Sequence, residues 1–449
     1  MRKVIALLAA GAAAAAAAAF GLVPSGAPGI VFAGAANAAG EAPYEVWAID
    51  QSDSRDRHGG RLYVYDGPSL SGAAAASARP EVVDLGGAAA GLCRERTGSP
   101  GTRPHMVFFN PAQTHAVVSY VASGNVLFLD ARTREPVGCV RASTGAGGAR
   151  QAHAAIPTPD GAYAIVANQN GKLLERIRTD YATNTFVLDP AATLDLATGT
   201  TPSGAPRQGA SRPDNAPICP IVDSSGRFAF VTLRGGGMFV VDVRSTPMAI
   251  VAEYDRATIH PNGCGGVEVA GKMYVNSGGG TAANLYEFDV YSFDLSRFSA
   301  APSTTANLPA PKLVVSDDAH GVTDSHGMAP VKHGRYVWVA DRAANRVVVV
   351  DARTDAPVGA FRLDGPLSGD PSPDLLAVSP AGNRVFVTLR GSLPLSGDPH
   401  ASTGSTPGVG VVRVEEGGRR GVLQAIARIS NPDGAVDRAD PHGIAIRTR

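Results

Sequence analysis

An all-β ring of seven four-stranded blades, a β-propeller, is the fold that three observations in the sequence predict. A unit made of a short apolar strand, a turn centred on Gly or Pro and a second alternating strand recurs six times. Third and fourth strands follow, and the repeats lie about 45 to 68 residues apart, the spacing of propeller blades. The chain also opens with three strands that lack a first one and closes on a lone first strand. Joined, the two ends make the seventh blade and leave no open sheet edge.

Residues 1–38 stand outside this pattern. Arg2 and Lys3 precede an Ala-rich apolar run over 4–23, and small residues lead to Ala36-Asn37-Ala38. This reads as a secretory signal cleaved after Ala38. The run is also long enough to serve as an uncleaved anchor. No Cys follows it and no Arg-Arg pair precedes it, which argues against lipoprotein and twin-arginine export.

The propeller is predicted over 42–449. Residues 45–50, 61–65 and 80–84 supply strands two to four of the closing blade. The first complete unit spans 105–120 around Pro111, with a third strand over 126–130 and a short fourth over 137–140. The next spans 151–167 and turns at Asp160-Gly161, a pair suited to the positive φ of a hairpin turn. Further units run 218–233 around Ser225-Gly226, 263–275 around Gly271, 326–339 around Gly334, and 373–389 around Ser379-Pro380-Ala381-Gly382. Third strands at 238–242 and 346–351 and a fourth at 358–361 fit the same order, and 441–446 is the closing first strand. Segments 176–215, 296–320 and 391–409 lengthen single blades as loops or extra hairpins.

Composition agrees. The 449 residues carry 40 Lys+Arg against 40 Asp+Glu, with 18% charged and 44% apolar. That is too little charge for a disordered chain, and the balance argues against a nucleic-acid or membrane-surface binder working through a basic field. With 53 Gly and 33 Pro, helical bundles and coiled coils are disfavoured.

Asp351-Ala352-Arg353-Thr354 after a Val run, the Ser-Pro-Ala-Gly turn and Pro441-His442-Gly443-Ile444-Ala445 resemble the YVTN-type seven-bladed propeller family of exported bacterial proteins. The signature Tyr-Val-Thr-Asn is replaced by Phe230-Val231-Thr232-Leu233 and Phe386-Val387-Thr388-Leu389. The resemblance implies the fold. Similar propellers include binding modules, lactonases and metal-dependent enzymes, so it selects no activity.

Aligning the blades on their turns places seven residues at the start of the innermost strands, around one channel mouth: His105, His153, Ile218, Gly263, His326, Asp374 and His442. Because the ring closes, His326, Asp374, His442, His105 and His153 are consecutive neighbours. Converging imidazoles with a carboxylate suit one transition metal, namely iron, copper or zinc. The bland alternative gives these histidines structural work, bonding a neighbouring blade or holding channel water.

The same alignment puts Cys219 and Cys264 one step past ring positions in adjacent blades, and Cys93 and Cys139 near the ends of fourth strands. It predicts the disulfides 93–139 and 219–264. Thiolate ligation near the His arc is the alternative for Cys219 and Cys264.

Polar segments feeding the ring face, namely Asp214-Asn215, His260-Pro261-Asn262, Asp317-Asp318-Ala319-His320 and Asp440, are candidates for a ligand funnel, with His260, His320 and Asp214 as its binding residues. His58, His115, His333 and His400 are expected in solvent-facing loops or turns. The Gly-rich stretches at 233–237 and 277–280 lie between strands, so they are hairpin turns and not phosphate loops. No Gly-x-Ser-x-Gly elbow occurs. Two function classes follow. One is a secreted or periplasmic, monomeric binding propeller that docks a small molecule or protein on the ring face. The other is a metal-dependent oxidase or lyase, with a lactonase-like hydrolase as a third, fold-based option.

Overall fold

The computed structural model describes residues 42–53, 58–278, 287–304, 306–317, 323–393 and 403–449. The leader reading over 1–38, and those for His320 and His400, fall outside the described residues.

Seven antiparallel sheets form the ring, six of four strands and one of five. Blade one comprises Pro104–Phe109, His115–Tyr120, Asn125–Asp130 and Pro136–Arg141. Blades two to six start at Ala152–Pro157, Pro217–Val222, Gly266–Val269, Ser325–Val331 and Pro373–Val378. Each sheet packs between two others, so its second strand is covered on both faces and reads as a near-continuous apolar run. Phe228–Leu233, Tyr336–Asp341 and Arg384–Leu389 are buried throughout. Fourth strands such as Glu81–Asp84 and Ala356–Arg362 form the exposed rim.

Blade seven joins the ends, as expected. Tyr44–Asp50 pairs with Pro441–Thr448 from Tyr44↔Thr448 to Asp50↔Pro441. Glu45 locks the seam, with Arg134, Arg447 and Arg449 at 2.5, 3.2 and 2.7 Å and the Trp47 indole N–H at 2.9 Å.

Both disulfides form, each with Cα atoms 5.1 Å apart. Cys93, however, lies on a helix and not at the end of a strand. Residues Ala88–Thr97 are helical, started by an Ala run, ended by Gly98 in the left-handed conformation, with Arg94 and Arg96 in the last turn. Two predicted insertions are also partly blade. Leu173–Asp180 and Thr185–Leu188 are the third and fourth strands of blade two, and Lys312–Ser316 is the fourth of blade four. His115 begins a second strand and is buried, held by Asn184 Oδ1 at 2.7 Å and Thr114 Oγ1 at 2.9 Å and covered by the Tyr181 ring. His333 sits in an exposed turn, as expected, and His58 is half-buried.

Candidate functional site at the channel mouth

The ring residues share one local device. Blade three slips from Pro217 to Pro220, and in five further blades the ladder slips at the second position of the inner strand, from Pro104 to Met106, Ala152 to Ala154, Ser325 to Met328, Pro373 to Leu376 and Pro441 to Ile444. Each of these five slips is a β-bulge that takes His105, His153, His326, Asp374 or His442 out of the ladder and re-aims its side chain. Proline tolerates the strand start, where no ladder N–H is needed. Carbonyls freed by the bulge are bonded by the second strand of the preceding blade: Ser119 Oγ to His153 O (3.1 Å), Asn276 Nδ2 to His326 O (2.6 Å) and Thr388 Oγ1 to His442 O (2.6 Å).

The glycine after the histidine has a steric cause. A Cβ at Gly443 would stand 2.7 Å from His105 O, and one at Gly327 only 2.2 Å from Asp374 O. Blade-to-blade contact at the mouth therefore excludes a side chain there. Gly443→Ala is expected to cost about 1–3 kcal/mol in urea unfolding. An unchanged midpoint would show that the neighbouring strand yields freely.

Four imidazoles and one carboxylate meet at this mouth. The His105 and His442 rings stack with centroids 4.0 Å apart, and His105 meets His153 edge-on at 4.4 Å. His326 and His442 lie 5.3 Å apart, with Asp374 between them. The Asp374 Oδ2 accepts from His442 Nδ1 at 2.5 Å, and Oδ1 lies 2.6 Å from His326 Nδ1. Gln51 donates its amide to Asp440 at 3.2 Å, which turns its oxygen to His105 Nδ1 at 2.8 Å. An amide oxygen only accepts, so His105 carries its proton on Nδ1 and offers a lone pair at Nε2. That Nε2 lies 3.2 Å from His153 Nε2. The Nε2 of His442 is buried and has no hydrogen-bond partner among the described residues.

Burial disfavours the protonated form of all four rings. It pushes His153 and His326 down to about 3, helped at His153 by the His442 ring and at His326 by Arg342. His105 is held well below its ordinary value by burial and by His442 and His153, and His442 is lowered by burial. For Asp374 burial works the other way, but His442, His326 and Arg390 outweigh it and hold the carboxyl well below the usual range.

A pH dependence follows for the metal-free protein. An unfolded histidine takes up a proton below about 6.5, while folded His326 does not until about 3. Stability is thus intact above 6.5 and falls as pH drops through that window. The groups facing His326 are Asp374, Arg342 and His442. Asp50 opposes the trend, since burial and the charge of Asp440 push it up to about 7. Replacing His326 by Gln should flatten the pH dependence of unfolding between 6.5 and 4 by up to about 1.4 kcal/mol per pH unit. Parallel curves would mean that His326 titrates normally.

Other residues at the same mouth were not singled out from the sequence. Gln51, Arg342 and Arg390 all leave the end of a second strand. Arg390 is fully buried and forks to Asp440 at 2.6 and 2.8 Å while reaching Asp374 at 2.8 Å. Arg342 holds Asp324 at 2.5 Å. The expected funnel is only partly a funnel: Asp440 is buried behind the imidazoles, and Asn215 is buried on backbone carbonyls of Leu196 and Arg207. Asp214 pairs with Lys172 at 3.0 Å, and Asp317 with Arg346. His260, partly exposed, is held by buried Asp289 at 2.6 Å.

No family model matches the chain, and no curated protein matches it. Solved structures do. A putative 6-phosphogluconolactonase of Bacteroides fragilis aligns with TM-score 0.56 and 10% identity over 92% of this chain and 99% of its own. The periplasmic gluconolactonase of Pseudomonas aeruginosa gives TM-score 0.54 and 13% identity over 90% and 99%. A putative 6-phosphogluconolactonase of Bacteroides uniformis gives 0.55 and 12% over 90% and 100%. The chain is a seven-bladed β-propeller. At these identities the likeness extends to the fold alone. Two disulfides suit an oxidising compartment, and no helix among the described residues is long and apolar enough to cross a membrane.

Proposed function

We propose that this is an exported, monomeric propeller of the YVTN type that holds one transition metal at the channel mouth and binds a small molecule there. The ligands come from the arc of His105, His153, His326 and His442, in which His326 and His442 have donor atoms within 4.8 Å of each other. Asp374 acts behind them, fixing the His326 and His442 rings. The observation that carries this reading is His442: its Nδ1 is tied to Asp374 and its Nε2 is buried without a partner among the described residues. A metal-bound histidine has this arrangement, one nitrogen oriented by a carboxylate and the other free to coordinate. Neutral nitrogen donors suit copper, iron or zinc. Such an ion would polarise a bound oxygen ligand or activate water. Names of similar propellers make sugar lactones the first substrates to assay.

Metal content after incubation with copper, iron and zinc in turn tests the reading. The wild type should hold one ion per chain, His442→Ala should hold none, and His333→Asn, in an exposed turn, should match the wild type. Because His153 and His326 resist protonation down to about 3, the ion should stay bound well below the pH of about 6.5 at which a free imidazole protonates. A wild type that stays metal-free with all three ions would leave a binding propeller with structural histidines.

A further inference from the structure

The imidazole cluster borders the Cys219–Cys264 disulfide. Pairing in blade three skips from Pro217 to Pro220, so Cys219 sits in the same kind of bulge as the ring histidines. Cys264 precedes the inner strand of blade four and is buried, as is Cys219. The Cys219 Sγ lies 4.0 Å from His153 Nδ1, and the donor atoms of His153, Cys219 and Cys264 all lie within 4.8 Å of one another. His153 thus turns Nε2 to His105 and Nδ1 to sulfur. His153 as a residue is less deeply buried than His105 and His442.

We propose that this disulfide masks a second metal site, which opens on reduction. A dithiol donor supplies two electrons and two protons. The Cys219–Cys264 bond breaks, the donor closes into its own disulfide, and both cysteines become thiols. A thiophilic divalent ion then displaces the two thiol protons and binds two thiolates with His153. Tetrahedral zinc with Zn–S near 2.3 Å and Zn–N near 2.05 Å sets neighbouring donors about 3.6–3.8 Å apart; the 4.0 Å from Cys219 Sγ to His153 Nδ1 is close to this, and the two sulfurs move apart once their bond is broken. Three protein donors leave the fourth position for water or a ligand. In the oxidised protein each sulfur is bound to the other, so the site exists only after reduction. It uses Nδ1 of His153, whose Nε2 faces the centre proposed above; with both ions bound the ring gives up its remaining N–H proton to water and bridges them, and the second site does not require the first.

The experiment counts zinc on the full chain before and after a phosphine reductant, which ends as its oxide and leaves no competing thiol. Cobalt substitution adds a direct readout, the thiolate-to-cobalt charge-transfer absorption. Reduction should add one zinc per chain in the wild type and in Cys93→Ser, and none in Cys219→Ser. His442→Ala should lose the ion of the oxidised protein yet keep the gain on reduction, which separates the two sites. Zinc should also shield Cys219 and Cys264 of the reduced wild type from alkylation, while Cys93 and Cys139 react; this needs no variant to fold. The proposal is overturned if reduced wild type gains no zinc and all four cysteines alkylate alike, or if Cys219→Ser gains as much as wild type.

Discussion

A chain shortened by residues 440–449 is expected to be expressed as aggregated or unfolded protein. Those residues are the inner strand of blade seven. Their loss bares the edge of Tyr44–Asp50, all seven residues of which are buried in the intact ring. Ile444 and Ile446 are buried too, each contributing about 1.5–3 kcal/mol. Arg447 and Arg449 leave with them, so the buried Glu45 keeps only Arg134 and the Trp47 indole. Together with the lost ladder, these terms approach the whole net stability of an ordinary domain, about 5–15 kcal/mol. An unpaired seven-residue edge would then recruit other chains. Size-exclusion chromatography with circular dichroism reads the outcome. A truncated monomer that melts at the wild-type temperature would show that the ring is stable without its seam.

Arg390→Met should destabilise the protein by about 3–5 kcal/mol. The guanidinium and its two carboxylate partners, Asp374 and Asp440, are all fully buried. Removing the cation leaves two negative charges in a low-dielectric interior, a cost larger than the net worth of the pairs. Lysine is not expected to rescue it, because one ammonium cannot reproduce the fork to Asp440. The triple change Arg390→Met, Asp374→Asn, Asp440→Asn should recover much of the loss, since no unpaired charge remains. Equal urea midpoints for Arg390→Met and wild type would refute the account. Asp374 would also lose the cation that helps keep it ionised, so the single variant should bind metal more weakly.

The fold and the imidazole arc were legible because both are written in repeats. Asp160-Gly161 and Ser379-Pro380-Ala381-Gly382 mark hairpins that few other residues can form, and aligning blades on those turns put His105, His153, His326, Asp374 and His442 in register. What stood behind them was harder to see. Gln51, Arg342 and Arg390 follow second strands directly, where a polar residue reads as the start of a solvent-facing turn. A signal existed in Thr232-Leu233-Arg234-Gly235 and Thr388-Leu389-Arg390-Gly391, which repeat one pattern. Yet Arg234 is exposed and Arg390 fully buried. The difference lies in the carboxylates that meet Arg390: Asp374 from the start of its own blade's inner strand and Asp440 from just before the inner strand of the next blade. Asp440 shows the same limit: a charged residue before an inner strand resembles a funnel wall until its partner in the neighbouring blade is known. The helix Ala88–Thr97 escaped because its signal, an Ala run closed by Gly98, is too short to stand out from Gly- and Ala-rich loops.

Closing the ring with both chain ends also sets the order in which the molecule can be built. Asp50 pairs with Pro441, so the innermost ladder of blade seven joins residues from opposite ends of the sequence. Six blades are local meanders able to form as soon as their own strands exist. The seventh must wait for Pro441–Thr448 to emerge, and closing so large a loop carries its entropy cost before any seam contact offsets it. During synthesis the strand Tyr44–Asp50 is therefore made before the other six blades and paired after them.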